Sequence, residues 1–217
     1  MKKAFSCALV LFGILPAVAA CGKYDYMSRV SEIKSDIFLA ETEEFTVSLS
    51  CISREYPYAM DGVAGEHTQI IEIVLTDGGE EEREYCVYVL GEKTRGGEMS
   101  YRSVRGDYFY SESTEVFPQE SVSLRIEWED EVREISATSV KNERMLKPEQ
   151  ALEKAIEAEK EAVDQLMQDG AFRGEFHVRL LRRKVTYYYV GIIDREGKTI
   201  ALLLDAESGE VLARRAP

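Results

Sequence analysis

Hydrolytic chemistry needs a nucleophile within hydrogen-bond reach of a base, and a third group that orients the base. This chain offers two histidines, His67 and His177, and four cysteines, Cys7, Cys21, Cys51 and Cys86. No serine sits in a G-x-S-x-G turn. Glu66-His67 is not the H-E-x-x-H pair that puts two imidazoles on one helix face, and histidines so far apart give no zinc spacing. A Cys51–His67 dyad is conceivable on paper, but Cys51 shares the apolar strand parity of Phe45, Val47 and Leu49. That parity reads as a buried or disulfide-bonded cysteine. Forty acidic residues supply carboxylates in number for glycoside chemistry, and that abundance singles out no pair. The expectation is a non-catalytic protein with no cofactor and no metal, a cryptic hydrolase being the remote alternative.

Residue types suited to recognition are better represented. The stretch Arg54-Glu55-Tyr56-Pro57-Tyr58-Ala59-Met60-Asp61-Gly62 lies between strand-like runs. Tyr56 and Tyr58 are aromatic anchors that lose little entropy on binding, and Arg54 adds a charge beside them. The plainer alternative is a strand connection whose tyrosines cover the end of a β domain. Arg182, Arg183 and Lys184, with Arg179 nearby, form the one basic cluster of an acidic chain. It suits docking of an acidic partner surface, or equally a solvated hairpin end. Tyr101, Tyr108, Phe109 and Tyr110 read as strand and core.

The N-terminus carries an address. Lys2 and Lys3 precede an apolar run, Ala4 to Leu15, followed by Pro16 and the small residues Ala17 to Ala20. This is the layout of a secretory signal, and its apolar part is short for a bilayer span. Val18-Ala19-Ala20-Cys21 resembles a bacterial lipobox, which implies cleavage after Ala20 and lipid on Cys21. The expected location is extracytoplasmic, lipid-anchored to the bacterial cell membrane. Cleavage removes two positive charges from a chain of net −13, leaving −15. Such a surface repels phosphate backbones and anionic headgroups, so it argues against nucleic acid and against membrane binding through a basic patch. Membrane contact is left to the acyl chains. Cys51 and Cys86 remain as an exported pair able to form a disulfide, although two reduced thiols, at least one of them buried, are the expectation.

These residues have to be positioned by a framework of two kinds. Residues 21–35 read as a polar tether whose second half suits a strand or short helix. From Asp36 to residue 145 the pattern is β. Phe45, Val47, Leu49 and Cys51 alternate with polar neighbours, as do Val122, Leu124, Ile126 and Trp128. Gln69–Thr76 and Glu84–Leu90 are apolar or aromatic runs, and Val132–Val140 returns after the acidic turn Glu129–Glu131 as the second arm of a hairpin. Many short strands predict a β-sandwich-like domain. Residues 146–217 change character. Pro148 suits the first turn of a helix, and Leu152, Ala155, Ile156, Ala162, Val163, Leu166 and Met167 make one apolar stripe ending at Asp169-Gly170. Three strands and a short fourth follow, so a small α+β module with one helix across an antiparallel sheet is predicted.

The end of that module, Tyr187 to Leu212, resembles the C-terminal half of a PepSY domain, and Asp205-Ala206-Glu207-Ser208-Gly209-Glu210-Val211 matches the family's "DA.TGEV" stretch. The match is structural: Gly209 supplies a turn, and Asp205 and Ser208 cap its backbone N–H groups. The chain as a whole resembles exported proteins of Firmicutes. The resemblance implies binding or regulation of another envelope protein, with a peptidase as the implied partner class. A lipoprotein that captures a peptide, glycan or small ligand through the Arg54–Gly62 loop is the alternative.

Overall fold

The computed structural model describes residues 24–79 and 83–217. The signal and Cys21 lie outside the described residues. The described residues are mostly β, with two α-helices among them. A 3-10 turn, Tyr26–Arg29, leads into nine strands: β1 (Val30–Glu41), β2 (Thr46–Glu55), β3 (His67–Thr76), β4 (Tyr85–Leu90), β5 (Arg95–Glu98), β6 (Ser100–Arg102), β7 (Asp107–Ser113), β8 (Ser121–Trp128) and β9 (Glu131–Ser139). Helices α1 (Pro148–Ala158) and α2 (Lys160–Gln165) follow. A two-residue pair, β10 (Met167–Gln168) with β11 (Ala171–Phe172), precedes the meander β12 (Glu175–Arg182), β13 (Thr186–Ile193), β14 (Thr199–Asp205) and β15 (Val211–Arg215).

One strand joins the two halves. The C-terminal part of β1 pairs with β2 on one side and with β9 on the other. Two arms run from it, β2–β3–β7–β6 and β9–β8–β4–β5, and they meet where β5 and β6 follow each other in sequence. At that junction Met99 N–H donates to the Tyr85 carbonyl at 2.8 Å. The result is a near-closed sheet around Phe38, Leu49, Ile73, Tyr85, Leu124 and Trp128. The N-terminal part of β1 lies parallel to β12, and through it the meander continues the same sheet.

β1 serves two cores because its spacing is corrected twice. In a regular strand Val30 and Ile33, and likewise Ile33 and Phe38, would point to opposite faces, since odd separations alternate. Register shifts between Val30 and Glu32 and between Lys34 and Asp36 each add a residue. Such a bulge resets the parity and bends the strand. Val30 and Ile33 therefore face the helices, while Phe38 faces the interior of the near-closed sheet. The stretch read as a tether is thus in part structural. Strand pairing begins at Val30, and Tyr24, Tyr26 and Met27 pack against the second core.

That second core is α1 and α2 laid on the inner face of the meander, with Leu152, Ala155, Val163, Phe176, Val178 and Tyr188 buried. Gln150 accepts the Lys147 N–H at 2.8 Å, and Pro148 occupies the first turn. The single helix predicted to run to Asp169-Gly170 instead breaks at Glu159, whose backbone leaves the helical region at φ −114°, ψ 33°. The one apolar residue between Glu157 and Glu161, Ala158, is exposed and gives no anchor, and the break lets α2 turn Val163 into the core. The Asp205–Gly209 turn forms as the motif predicts. Asp205 Oδ1 accepts from the N–H groups of Glu207 and Ser208 and from the Ser208 hydroxyl. Gly209 has φ +74°, and a Cβ there would stand 2.8 Å from the Lys154 side chain.

Among the described residues, Cys51 and Cys86 are both free. Cys51 points into the near-closed sheet, 1% exposed, and burial pushes its thiol up to about 12. In β4 it is Tyr85 and Val87 that face inward, which leaves Cys86 on the outer side. A thiolate is the reactive form. Alkylation of the folded protein should therefore modify Cys86 and spare Cys51 until denaturant is added. Mass spectrometry after both steps checks this, and two unmodified cysteines in the unreduced, unfolded chain would contradict it.

Candidate functional site

The outer face of the joined sheet, opposite the helices, carries a polar cluster where β1, β2 and β12 run side by side. Phe176, Val178 and Leu180 fill the inner face of β12, so alternation sends Glu175, His177 and Arg179 outward. The register sets Glu32 between Arg54 on β2 and His177 on β12. Glu32 is 4% exposed, and its carboxylate accepts from Arg179 Nε at 2.5 Å and lies 3.8 Å from Arg54 Nη1. Arg54 also lies 3.7 Å from Glu72. Two guanidinium groups are thus held by a buried carboxylate, which fixes rotamers that solvent would leave free.

The loop after β2 closes over one end of this face. Glu55, itself buried, takes the N–H groups of Ala59 at 3.2 Å and Gly65 at 2.7 Å, tying both limbs of the loop to the end of its strand. Arg29 Nη2 bridges the Gly62 and Gly174 carbonyls, at 3.0 Å each. Gly62 has φ +74° and abuts the turn between β13 and β14, where a Cβ would meet the Arg195 backbone at 3.0 Å. A side chain there would push the loop off the sheet.

This closure brings Tyr58 onto the cluster. Its ring stacks on His177 at 5.8 Å and lies 5.0 Å from the Arg54 guanidinium carbon. Its hydroxyl is 3.2 Å from Arg179 Nη2 and 3.4 Å from His177 Nε2. Arg179 Nη2 also lies 3.2 Å from His177 Nδ1. A guanidinium only donates, so Nδ1 accepts and the imidazole proton sits on Nε2. The Tyr58 oxygen then receives two donors, and its own proton is left to point outward. The site offers a hydrogen-bond donor beside two held cations, which suits an incoming carboxylate or carbonyl.

Beneath the loop lies a second feature. Glu175 is fully buried, and neither carboxylate oxygen has a hydrogen-bond partner. Burial first, and then the Glu55 charge, pushes it up to about 7. His177, 3.9 Å away, is pushed down to about 4 by burial and by Arg179. Both groups are therefore neutral near pH 6.

Of the sequence candidates, Arg54 and Tyr58 meet in this cluster. Tyr56 is on the same loop but 80% exposed. Arg182 closes the β12–β13 hairpin, donating to Thr186 Oγ1 at 3.1 Å, and Arg183 and Lys184 are exposed in the turn. Arg179, grouped with them by sequence, belongs instead to Glu32 and Tyr58. Cys51 and His67 do not meet as a dyad. Cys51 faces inward, while His67 is held by Ser53 Oγ at 2.9 Å and the Val30 carbonyl at 2.8 Å. Glu32, Glu175 and His177 were missed. The alternation of Glu175, His177 and Arg179 with Phe176, Val178 and Leu180 was the available signal for the last two. Among the described residues no group of His, Cys, Asp and Glu is placed to hold a metal, and no helix is long and apolar enough to cross a membrane. Comparison with known proteins gives no matching family model, no matching curated protein and no matching solved structure. The site is read from its own geometry.

Proposed function

We propose that this is a lipid-anchored, non-catalytic cell-envelope protein that binds another envelope protein through the Tyr58 face, its C-terminal half being of the PepSY kind. The observation that carries the reading is the convergence of two stretches 121 residues apart, Tyr58 on the loop and Arg179 on β12. The same loop leaves Tyr56, Met60 and Val63 exposed at 80%, 46% and 49%. Exposed aromatic and apolar side chains around a held arginine pair have the composition of a binding hot spot. The extracytoplasmic part rests on the signal-like N-terminus and Cys21. A peptidase is the partner class that the PepSY resemblance suggests.

Labelling cells with a tagged fatty acid tests the anchor. The native chain should take up label and partition with membranes, and Cys21→Ala should do neither. A variant that still carries label removes the anchor from the proposal.

A second reading, capture of a small ligand, is favoured by a separate feature. A cleft of about 990 Å³ opens at one end of the near-closed sheet, with Leu49, Ile71 and Val89 in its wall and Arg95, Thr114 and Phe117 among its rim. Ligand sites often occupy the mouths of such sheets. Saturable binding of one small molecule, lost on Val89→Arg, would favour it.

A further inference from the structure

Lys34 stands on the same outward face as Glu32, two residues along β1, and the ladders set it opposite Arg179 on β12 and Ile52 on β2. It is half-buried. Like charges facing each other across a ladder are unfavourable, so the fold alone gives no reason for a lysine there. The two carboxylates of the cluster are engaged elsewhere. Glu32 accepts from Arg179, and Glu72 lies 3.7 Å from Arg54. Among the described residues the Lys34 ammonium has no ion-pair partner of its own. Burial pulls this lysine below its ordinary value against the opposing pull of Glu72 and Glu32, and Arg179 and Arg54 add to the lowering. Arg54 is loosely held in turn. Its carboxylate contacts, at 3.7 and 3.8 Å, are longer than hydrogen bonds, which leaves its guanidinium N–H groups for another acceptor. The cluster thus holds three cations, Lys34, Arg54 and Arg179, against two carboxylates, Glu32 and Glu72. Glu175 and His177 beside them are neutral near pH 6. An excess of one positive charge faces outward on a chain whose net charge is −13.

We propose that Lys34 and Arg54, beside the Tyr58 hydroxyl, take one carboxylate, that of an aspartate or glutamate side chain on the docking partner. The inference rests on the Tyr58 face being the docking surface, and names the chemistry that the face selects. Arg179 links the groups: it is the ladder neighbour of Lys34, and its Nη2 lies 3.2 Å from the Tyr58 oxygen. An ammonium and a guanidinium with unmade hydrogen bonds form charge-assisted bonds to a carboxylate, and the outward tyrosine proton adds a neutral donor. One carboxylate cancels the excess charge and relieves the Lys34–Arg179 juxtaposition. A dianionic phosphate would overshoot it beside two fixed carboxylates, on a chain already strongly acidic. Tyr56, Met60 and Val63, exposed on the same loop, supply apolar contact for the residues flanking the acid.

The test titrates the full chain with N-acetylglutamate N-methylamide, followed by nuclear magnetic resonance at Arg54 Nε and Lys34 Cε. The matching glutamine compound and inorganic phosphate are the comparison probes. The glutamate probe should shift both resonances saturably, the glutamine probe should not, and phosphate should bind more weakly than glutamate. Lys34→Met keeps an apolar stem and removes the charge. It should weaken glutamate binding, read at Arg54, at least about tenfold, as expected for loss of a partly desolvated charge. Lys34→Arg should retain binding. Lys93→Met, between β4 and β5, makes the same change in net charge and should leave binding within about twofold. Absence of binding, equal binding of the glutamine probe, tighter binding of phosphate, or equal losses in the two methionine variants would each overturn the inference. The titration needs no partner, so its failure counts against the carboxylate site alone, while docking is judged separately by cross-linking from the loop.

Discussion

The His177→Gln variant loses about 3 kcal/mol of stability as the pH rises from about 4.5 to 7, and Glu175→Gln loses a similar amount as it falls from about 6.5 to 4. The native protein shows neither slope in full. Glu175 in the folded chain keeps its proton to about 7, whereas an unfolded glutamate releases it near 4.5. Between those values folding takes up a proton, so its contribution is present at low pH and is lost as the pH rises. His177 behaves oppositely. The unfolded imidazole binds a proton near 6.5, but the folded one refuses it down to about 4. Folding then releases a proton, and stability is lost as the pH falls. With both residues present, folding moves a proton from histidine to glutamate, net uptake is near zero from about 4.5 to 6.5, and the profile is nearly level. Urea denaturation of all three proteins at several pH values in this range checks the prediction. Variants whose slopes match the native one would contradict it.

Phe176→Ala destabilises the whole molecule by about 3–5 kcal/mol, and the loss is felt in the opposite half. Phe176 is fully buried, stacked on Phe172 at 4.6 Å and edge-on to Tyr26 at 5.9 Å. The cavity it leaves weakens the docking of β12 against β1, and β1 is also a wall of the first core. The one tryptophan, Trp128, sits in that first core against Phe45 at 5.5 Å. Its fluorescence therefore reports on a region that Phe176 does not touch. The urea midpoint seen by Trp128 should shift together with that seen by far-ultraviolet circular dichroism, as one cooperative transition. A Trp128 midpoint left in place would show that the two halves unfold separately.

What could be read from the sequence follows from where regular alternation survives. β2, β8 and β12 show it cleanly, and the three strands and short fourth predicted for the C-terminal module are present. The stripe from Leu152 to Met167 marked the helical region but not its break, because period alone does not show that Ala158, the one apolar residue between Ile156 and Ala162, is left exposed. β1 was illegible for a different reason. Two bulges place Val30, Ile33 and Phe38 at odd separations, so the residues that bury it look aperiodic, and half of it reads as a polar tether. The site suffered in turn. Arg54 and Tyr58 were visible as unusual loop chemistry, but their partners Glu32 and Arg179 become neighbours only through the parallel β1–β12 pairing, which joins segments distant in sequence.

The claim that a partner docks on the Tyr58 face is tested most directly by photo-cross-linking in intact cells. A photo-reactive phenylalanine is placed at position 56, and separately at position 104, where Val104 is 99% exposed on a distant turn. The account predicts one discrete cross-linked protein from position 56, lost when Tyr58→Ala is added, and none from position 104. No product from position 56, or the same products from both positions, would contradict it.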